Sequence, residues 1–225
     1  MSFKKLYTLL INAFFPARCP YCNETIFRNT EACDDCKSKL EYENIITLLY
    51  KSKNISPFKY SGINKKAVLN FKFNNNPNYS EQMAISMQKS IINEYSDYLD
   101  NRSPKNFDII TCVPFTKRRY QKRGYNQSQL LAKNLSDYLN IDFQPVLLKT
   151  KDNQAQHTLP KAERKKNVEG VFEINSEYKV SGKTILLIDD ILTTGSTLNE
   201  CVNILYTNGA ENVLCATYAT AMAKN

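Results

Sequence analysis

The segment Ile185–Leu198 places four consecutive aliphatic residues directly before two adjacent aspartates and a loop of small hydroxyl residues. Unbroken apolar runs of this length are typical of strands in parallel sheets that are covered on both faces. Helical periodicity follows the loop, because Leu198, Val202 and Leu205 recur on one face and Gly209 ends the pattern. A strand, a loop and a helix in this order predict an α/β domain.

Similar units occur elsewhere in the chain. The predicted elements are a helix over Ser80–Leu99 with Asn78 or Ser80 as its N-cap, a strand at Asp108–Val113, a helix around Leu131–Leu139 and a last strand at Val213–Ala219. Alternating strands and helices predict a mostly parallel sheet flanked by helices.

The loop that follows the apolar run carries groups suited to a phosphorylated sugar. Ligands of open α/β sheets bind beyond the carboxyl ends of the strands. A helix N-terminus and backbone amides attract phosphate, while two carboxylates accept hydrogen bonds from vicinal ribose hydroxyls. The candidate ligand-binding residues are Asp189, Asp190, Thr193, Thr194, Gly195, Ser196 and Thr197. No lysine follows Gly195 and no G-x-G-x-x-G motif is present, which disfavours a Walker-type nucleotide site and a dinucleotide site.

Two Cys-x-x-Cys pairs near the N-terminus predict a structural zinc site. The four candidate ligands are Cys19, Cys22, Cys33 and Cys36. Four thiolates complete a closed tetrahedral shell, so the ion would stabilise a fold and leave no position for a reacting water. Disulfides are the alternative explanation of this spacing.

The numbers of cysteines and histidines limit the kinds of site that the chain can form. The chain has 225 residues, seven cysteines and a single histidine, His157. One histidine excludes a multi-histidine metal site, and an odd number of cysteines favours a reducing compartment. We expect Cys112, Cys201 and Cys215 to be core residues, because none has a catalytic motif around it. His157 has no identifiable nucleophile partner.

Two basic segments hold the excess positive charge. Residues Lys117–Arg123 carry +5 and Lys161–Lys166 carry +3, which together equal the net charge of +8. We interpret both as loops, with an ordinary solvated surface as the alternative. The nucleic-acid candidates, from charge and stacking, are Arg119, Tyr120, Lys122, Arg123 and Tyr125.

The segment Ile185–Leu198, reading ILLIDDILTTGSTL, resembles the phosphoribosyl diphosphate (PRPP) signature of type I phosphoribosyltransferases. With the four-cysteine module, the RGYNQ sequence at Arg123–Gln127 and the spaced residues Gln156, Leu159, Arg164 and Asn167, the chain resembles the ComF family of competence proteins over nearly its whole length.

The resemblance implies a fold and a division of the chain. It implies a type I phosphoribosyltransferase-like α/β sheet preceded by a small zinc module. The N-terminal helix and zinc module would occupy residues 1–45 and the phosphoribosyltransferase-like domain residues 46–225, with a hood at about 56–105 and a core at about 106–225. Residues 152–169 would form a flap over the ligand, and the loop after Val113 would approach pyrophosphate. The pyrophosphate and flap candidates that follow from the resemblance are Thr116, Lys117, Arg118, Lys161 and Arg164.

The resemblance also implies a function. The expected protein binds PRPP with Mg²⁺ and assists single-stranded DNA handling during DNA uptake in natural transformation. Its expected location is the cytoplasm, with peripheral association with the inner membrane left open, and proteins of the uptake machinery are further expected partners. Whether it is an enzyme is left open, because no acceptor site is identifiable.

Two alternatives remain. One is an active phosphoribosyltransferase that transfers phosphoribose from PRPP to an unidentified acceptor. The other is a non-catalytic adaptor of the uptake machinery, in which the zinc module and an amphipathic helix ending at Pro16 are docking surfaces. That N-terminal segment is too short to span a bilayer and lacks the small residues of a signal-peptide cleavage site.

Overall fold

The computed structural model describes residues 16–73, 76–99, 106–151 and 170–222. The predicted N-terminal helix, the predicted flap and His157 lie outside these residues. The strands are β1 Ala17–Arg18, β2 Thr25–Ile26, β3 Ile45–Leu48, β4 Lys53–Ser56, β5 Phe58–Lys59, β6 Ile109–Cys112, β7 Leu147–Lys149, β8 Phe172–Ile174, β9 Thr184–Leu192 and β10 Asn212–Thr220. The helices are α1 Asp34–Lys37, α2 Gly62–Phe73, α3 Tyr79–Glu94, α4 Lys117–Arg123, α5 Gln127–Leu139 and α6 Ser196–Thr207, with a 3-10 turn at Ser96–Tyr98.

The main sheet has six strands and is mostly parallel, as predicted. Its order is β3-β4-β10-β9-β6, and β5 also pairs with β10. The pairings of β10 with β4, β5 and β9, and of β6 with β9, are parallel, whereas β3 runs antiparallel to β4 at one edge. Register places Thr217 beside Asp189 and Cys112 beside Ile188. The two aspartates therefore lie within the last part of β9, which continues to Leu192.

The period of two along β9 divides the core into two layers. Leu186 and Ile188 are buried in the cluster that includes α3 and α5, whereas Ile185 and Leu187 are buried in the cluster that includes α6. Both faces of the strand are thus covered, which explains why its sequence is continuously apolar.

The three cysteines outside the zinc module are core residues. Cys112, Cys201 and Cys215 are all buried. Burial raises the pKa of the Cys215 thiol to about 12, and it raises the pKa of the other two thiols as well. None of the three is a thiolate at neutral pH, so the prediction of a packing role is confirmed.

Several predicted elements need correction. The helix predicted over Ser80–Leu99 is α3, which ends at Glu94 before the 3-10 turn. Of the two predicted N-caps, Asn78 occupies the N-cap position, with helical dihedrals and no side-chain capping hydrogen bond, whereas Ser80 lies within the helix and donates to the Pro77 carbonyl. Helix α2 was not predicted. Strands β3 and β4 join the main sheet at residues 45–56, and the predicted domain boundaries stay a prediction.

The zinc module packs directly on the main domain. The hydroxyls of Tyr21 and Tyr218 lie 2.6 Å apart and are buried. Asn70 Nδ2 of α2 donates to the Pro20 carbonyl over 2.9 Å, and Tyr79 Oη of α3 donates to Asn23 Oδ1 over 2.8 Å. Both helices are therefore anchored to the first Cys-x-x-Cys pair and the residue that follows it.

Candidate functional site

The four predicted zinc ligands meet at one point. The Sγ atoms of Cys19, Cys22, Cys33 and Cys36 all lie within 4.8 Å of one another, and Cys22 and Cys33 are 3.5 Å apart. Tetrahedral zinc with Zn–S bonds of about 2.3 Å separates its sulfurs by about 3.8 Å, so the cluster fits the ion. Burial raises the pKa of the Cys19 thiol, but hydrogen bonds from backbone amides outweigh it and the net shift is downward. The double two-residue spacing thus assembles a structural zinc centre.

The second site lies at the carboxyl end of β9, in the loop that leads into α6. Gly195 has φ of +77°, and a Cβ there would approach Asn199 Nδ2 to 3.2 Å and Leu49 Cδ2 to 3.3 Å, so glycine fits both the turn and the space. The described structure has no side-chain cap at the N-terminus of α6. Thr193, Thr194, Ser196 and Thr197 surround a small recess in front of it. Backbone amides at such a helix start suit a phosphate group.

The two aspartates have different environments. Asp189 Oδ1 accepts hydrogen bonds from Ser128 Oγ over 2.6 Å and from the Asp190 amide over 2.9 Å. Burial raises the pKa of Asp189 to about 7, with the Asp190 charge as the second cause, although both hydrogen bonds oppose the shift. Asp190 Oδ2 instead forms an ion pair with Lys72 Nζ at 2.7 Å. Near neutral pH the pair thus contains one partly protonated carboxyl and one that is neutralised by a lysine.

The basic segment after β6 is the helix α4, so the prediction of a loop there is wrong. Thr116 is its N-cap and accepts from the Arg119 amide over 3.2 Å, while Gly124 ends the helix in the left-handed region. Helical spacing puts Arg119 and Arg123 on one face. The Arg119 guanidinium lies 5.2 Å from the Phe115 ring, and that of Arg123 lies between the rings of Phe73, at 5.5 Å, and Phe115, at 5.8 Å.

These groups line one cleft of about 460 Å³. Its walls are formed by Tyr60, Leu69, Lys72, Phe73, Val113, Pro114, Phe115, Arg119, Arg123, Lys149, Asp189, Asp190, Ile191, Thr193 and Thr197. The cleft thus joins the acidic pair and the hydroxyl loop to two arginines on one side and to an apolar wall on the other. Its volume lies in the range of small-molecule sites, about 300–1,000 Å³.

The basic residues that we predicted to bind pyrophosphate or nucleic acid lie in other places than their predicted roles suggest. Arg119 and Arg123, which we assigned to nucleic acid, line the cleft, whereas the side chains of Lys117 and Arg118 are exposed. Tyr120 is half exposed, and Lys122 belongs to the same helix. The predicted flap residues Lys161 and Arg164 lie outside the described residues.

Tyr125 has a contact that the sequence did not suggest. Its ring stacks on Phe71 with the centroids 5.7 Å apart, and its hydroxyl donates to the Phe71 carbonyl. In this arrangement Tyr125 supports the end of α2.

Sequence reasoning missed nine of the fifteen residues that line the cleft, including two lysines and two phenylalanines. Lys72 and Phe73 end the unpredicted helix α2, Phe115 lies between β6 and α4, and Lys149 ends β7. The one available signal was Phe115, which follows a predicted strand end as the other site residues do. The other three come from elements whose position beside the cleft only the tertiary fold reveals.

The comparisons with known proteins agree with this layout. Residues 126–225 match the phosphoribosyl transferase domain, and residues 10–46 match the double zinc ribbon domain. Within the described residues, no helix is both long and apolar enough to cross a bilayer.

Curated relatives carry names connected with DNA. The DNA utilization protein YhgH of Escherichia coli (strain K12) is 37% identical over 115 residues, which cover 49% of this chain and 50% of that protein. Competence protein F of Haemophilus influenzae is 33% identical over 108 residues, 47% of either protein. Competence protein ComFC of Bacillus subtilis (strain 168) is 28% identical over 192 residues, 85% of this chain and 72% of that protein. The chain thus spans about half the length of the YhgH relatives.

Solved structures of similar fold have low identity. The glutamine PRPP amidotransferase from B. subtilis is 19% identical, with a TM-score of 0.40 over 67% of this chain and 30% of that chain. A purine phosphoribosyltransferase from Pyrococcus horikoshii is 17% identical, with a TM-score of 0.37 over 63% of this chain and 73% of that chain. The predicted fold class is confirmed by the matched domain and the observed sheet. A double zinc ribbon ahead of a phosphoribosyl transferase domain, with competence proteins among the relatives, agrees with the predicted resemblance to the ComF family.

Proposed function

We propose that the chain binds PRPP in the cleft at the carboxyl end of β9 and assists the handling of single-stranded DNA during DNA uptake. The observation that carries the proposal is the convergence of Asp189, Asp190, Arg119, Arg123 and the hydroxyl loop on one cleft. The names of the competence and DNA utilization relatives support the second half of the proposal.

Each part of PRPP has a complementary group. The 5′-phosphate would accept hydrogen bonds from the loop amides and hydroxyls at the start of α6, where the helix dipole favours an anion. The ribose hydroxyls would donate to Asp189 and Asp190. The diphosphate would face Arg119 and Arg123, whose guanidinium groups bind phosphate oxygens in a bidentate manner.

The exposed face of α4 is the proposed DNA contact. Lys117 and Arg118 are exposed beside the half-exposed ring of Tyr120. Such a surface combines charge for a phosphate backbone with an aromatic face for stacking. The proposed DNA surface therefore adjoins the cleft on the same short helix, and PRPP and DNA would occupy opposite faces of that helix.

The acidic pair tests the proposal directly. Asp189→Asn with Asp190→Asn removes the carboxylates that would hold the ribose, so PRPP binding measured by calorimetry should fall by about tenfold or more. Binding of a fluorescent single-stranded oligonucleotide should be retained, because the outward face of α4 is unchanged. Loss of both activities to the same degree would contradict the proposed separation of the two surfaces.

A phosphoribosyltransferase activity is the second candidate, and the apolar wall of the cleft favours it. Tyr60, Leu69 and Phe73 line the same space as the acidic pair, and the Phe73 ring is 64% exposed. An organic acceptor packed there would lie near the sugar. In that reaction the bond from C1 of ribose to diphosphate breaks through an oxocarbenium-like transition state, the acceptor forms the new bond to C1, and the arginines stabilise the diphosphate charge. Diphosphate release over a panel of nucleobases and amines tests this candidate.

The location and further partners also belong to the proposal. A protein that handles DNA after uptake would work in the cytoplasm, and proteins of the uptake machinery would be its partners. Fractionation of cells followed by detection of the full chain in the soluble and membrane fractions tests the location.

A further inference from the structure

The ion pair between Lys72 and Asp190 is built into the fold. Lys72 Nζ lies 2.7 Å from Asp190 Oδ2, and the two side chains are only 18% and 10% exposed. Lys72 belongs to the last turn of α2. That turn is fixed from two sides, because Asn70 donates to the Pro20 carbonyl of the zinc module and Tyr125 donates to the Phe71 carbonyl. Lys72 is therefore held against Asp190 and differs from a mobile surface lysine.

The acidic pair does not fit the Mg²⁺ ion that the resemblance implies. Mg²⁺ is bound through ionised carboxylate oxygens and retains most of its waters in an octahedral shell. Asp190 already has a cation in contact, and Arg123 adds a second positive charge within electrostatic range of it. Asp189 directs one oxygen to Ser128 and to a backbone amide. A divalent ion at this pair would meet a lysine ammonium at Asp190 and, at Asp189, an Oδ1 that already accepts two hydrogen bonds.

We infer that Lys72, and not a divalent cation held by the acidic pair, supplies the positive charge at Asp190 and orients its carboxylate toward a ribose hydroxyl. Lys72 is thus a positioning residue. The part of the inference that concerns ribose rests on the proposed function, whereas the exclusion of the cation concerns the ligand-free protein alone. Because the ammonium is covalently part of the chain, the contact between Asp190 and the ribose should depend little on added Mg²⁺.

The first test needs no sugar ligand. Mn²⁺ is titrated into the zinc-loaded full chain at pH 8, and free Mn²⁺ is followed by electron paramagnetic resonance. Wild type should have no Mn²⁺ site that Asp190→Asn removes. Lys72→Met should gain one site per chain, and adding Asp190→Asn should abolish it. An Asp190-dependent site in wild type, or no gain in Lys72→Met, would overturn the inference.

The second test measures binding of ribose 5-phosphate, which lacks the diphosphate that would carry its own Mg²⁺, with and without Mg²⁺. The magnesium-free buffer is prepared without a chelator, so that the zinc centre stays loaded. Wild-type affinity should change by less than about threefold between the two buffers. Lys72→Met should lose about tenfold or more without Mg²⁺, the effect of removing one charge-assisted hydrogen bond, and should recover part of it when Mg²⁺ is added. Lys72→Arg should remain close to wild type because it retains the charge.

Lys66→Met is the matched control, since Lys66 is an exposed lysine of the same helix outside the cleft. Wild-type binding that requires Mg²⁺, or a Lys72→Met variant equal to wild type in both buffers, would overturn the inference. Absence of ribose 5-phosphate binding by wild type in either buffer would instead contradict the proposed function, and the Mn²⁺ titration would still decide whether Lys72 excludes the cation. If Lys72→Met does not fold, Lys72→Gln, which also removes the charge, takes its place in both measurements.

Discussion

Ser128 Oγ donates a hydrogen bond to Asp189 Oδ1 over 2.6 Å, and this contact joins the first turn of α5 to the acidic end of β9. Asn126, immediately before that turn, accepts from the Ser128 amide and donates through Nδ2 to the Val113 carbonyl at the end of β6. Residues that are 61 positions apart in the sequence are thereby tied together. Asn126 of the RGYNQ sequence thus holds in place the turn from which Ser128 contacts the acidic pair.

Asp189→Asn should stabilise the protein at pH 8. The pKa of Asp189 is raised to about 7, so between its unfolded value near 4 and pH 7 the folded state holds a proton that the unfolded state loses. Asp189 therefore makes the folded state less stable as pH rises from about 4, and the free-energy cost is complete above about pH 7. An amide avoids that cost, and we expect a gain on the order of 1–3 kcal/mol at pH 8 that shrinks toward pH 5.

Urea unfolding at the two pH values measures this difference. Asp190→Asn is the matched variant and should lower stability at pH 8, because it leaves the Lys72 ammonium without its carboxylate. Equal effects of the two substitutions at both pH values would argue against the asymmetry of the pair.

Glu31→Gln should destabilise the contact between the zinc module and α3. Glu31 is buried, forms an ion pair with Lys89 at 2.7 Å and accepts from the Tyr42 hydroxyl. Burial alone would raise the pKa of Glu31, but the hydrogen bonds from Lys89 and Tyr42 outweigh it and hold the pKa below its usual value. We expect a loss of about 1–3 kcal/mol at pH 7, since half of the Lys89 side chain is exposed.

The pH dependence of that loss has a definite sign. A carboxyl group whose pKa is lowered by folding stabilises the fold at pH values above its pKa in the unfolded state. This contribution is lost as the pH falls through its pKa in the folded state. The difference between wild type and Glu31→Gln should therefore shrink in acid. Lys183→Met serves as a control, because its ion pair with Asp108 is exposed and should contribute less than about 1 kcal/mol. A Glu31→Gln loss no larger than that of Lys183→Met would refute the structural role of Glu31.

Cys33→Ser should abolish zinc binding and lower the unfolding temperature. The residues around the cluster form short strands and a single-turn helix, so the metal supplies much of their folding energy. We expect one zinc per wild-type chain by elemental analysis and less than one in the variant. Cys112→Ala, which alters a buried core cysteine instead, should retain its zinc. A wild-type sample with four alkylatable thiols in the module and no zinc would exclude the metal centre.

Lys117→Gln with Arg118→Gln should weaken single-stranded DNA binding without affecting PRPP. Each neutralised phosphate contact lowers the slope of log affinity against log salt by about 0.7 for a single strand. Arg119→Gln with Arg123→Gln, on the opposite face of α4, should reduce PRPP affinity by about tenfold or more. Fluorescence anisotropy at several salt concentrations measures the first effect and calorimetry the second. An unchanged salt slope in the Lys117 and Arg118 variant would contradict the assignment of DNA binding to that face.

Local pattern was enough to predict the last three elements of the fold, β9, α6 and β10. The apolar run of β9, the periodicity of α6 and the glycine after it are strong signals because strand, loop and helix each leave their own signature. The paired cysteines were sufficient to predict the zinc cluster, since their two-residue spacing fixes the geometry of each pair.

The basic segment shows where local pattern was misread. Seven residues are too few to display a helical period, so five charges looked like a loop. The flanking residues contained the correct signal, because Thr116 is a favourable N-cap and Gly124 a favourable helix stop.

The pairing of Lys72 with Asp190 could not be predicted from the sequence. Lys72 lies in the Asn-rich end of an unpredicted helix, far along the chain from Asp190, and nothing near either residue indicates the other. The pairing depends on how α2 is anchored to the zinc module and to Tyr125, which is a property of the tertiary fold. The asymmetry between Asp189 and Asp190 was missed for the same reason.

Calorimetric titration of PRPP into the zinc-loaded wild-type chain tests the central claim most directly. The account predicts one site per chain, with ribose 5-phosphate competing for it, because the phosphate loop and the acidic pair would hold the part that the two molecules share. Absence of PRPP binding, or binding that persists undiminished in the Asp189→Asn, Asp190→Asn double variant, would contradict the assignment of this cleft.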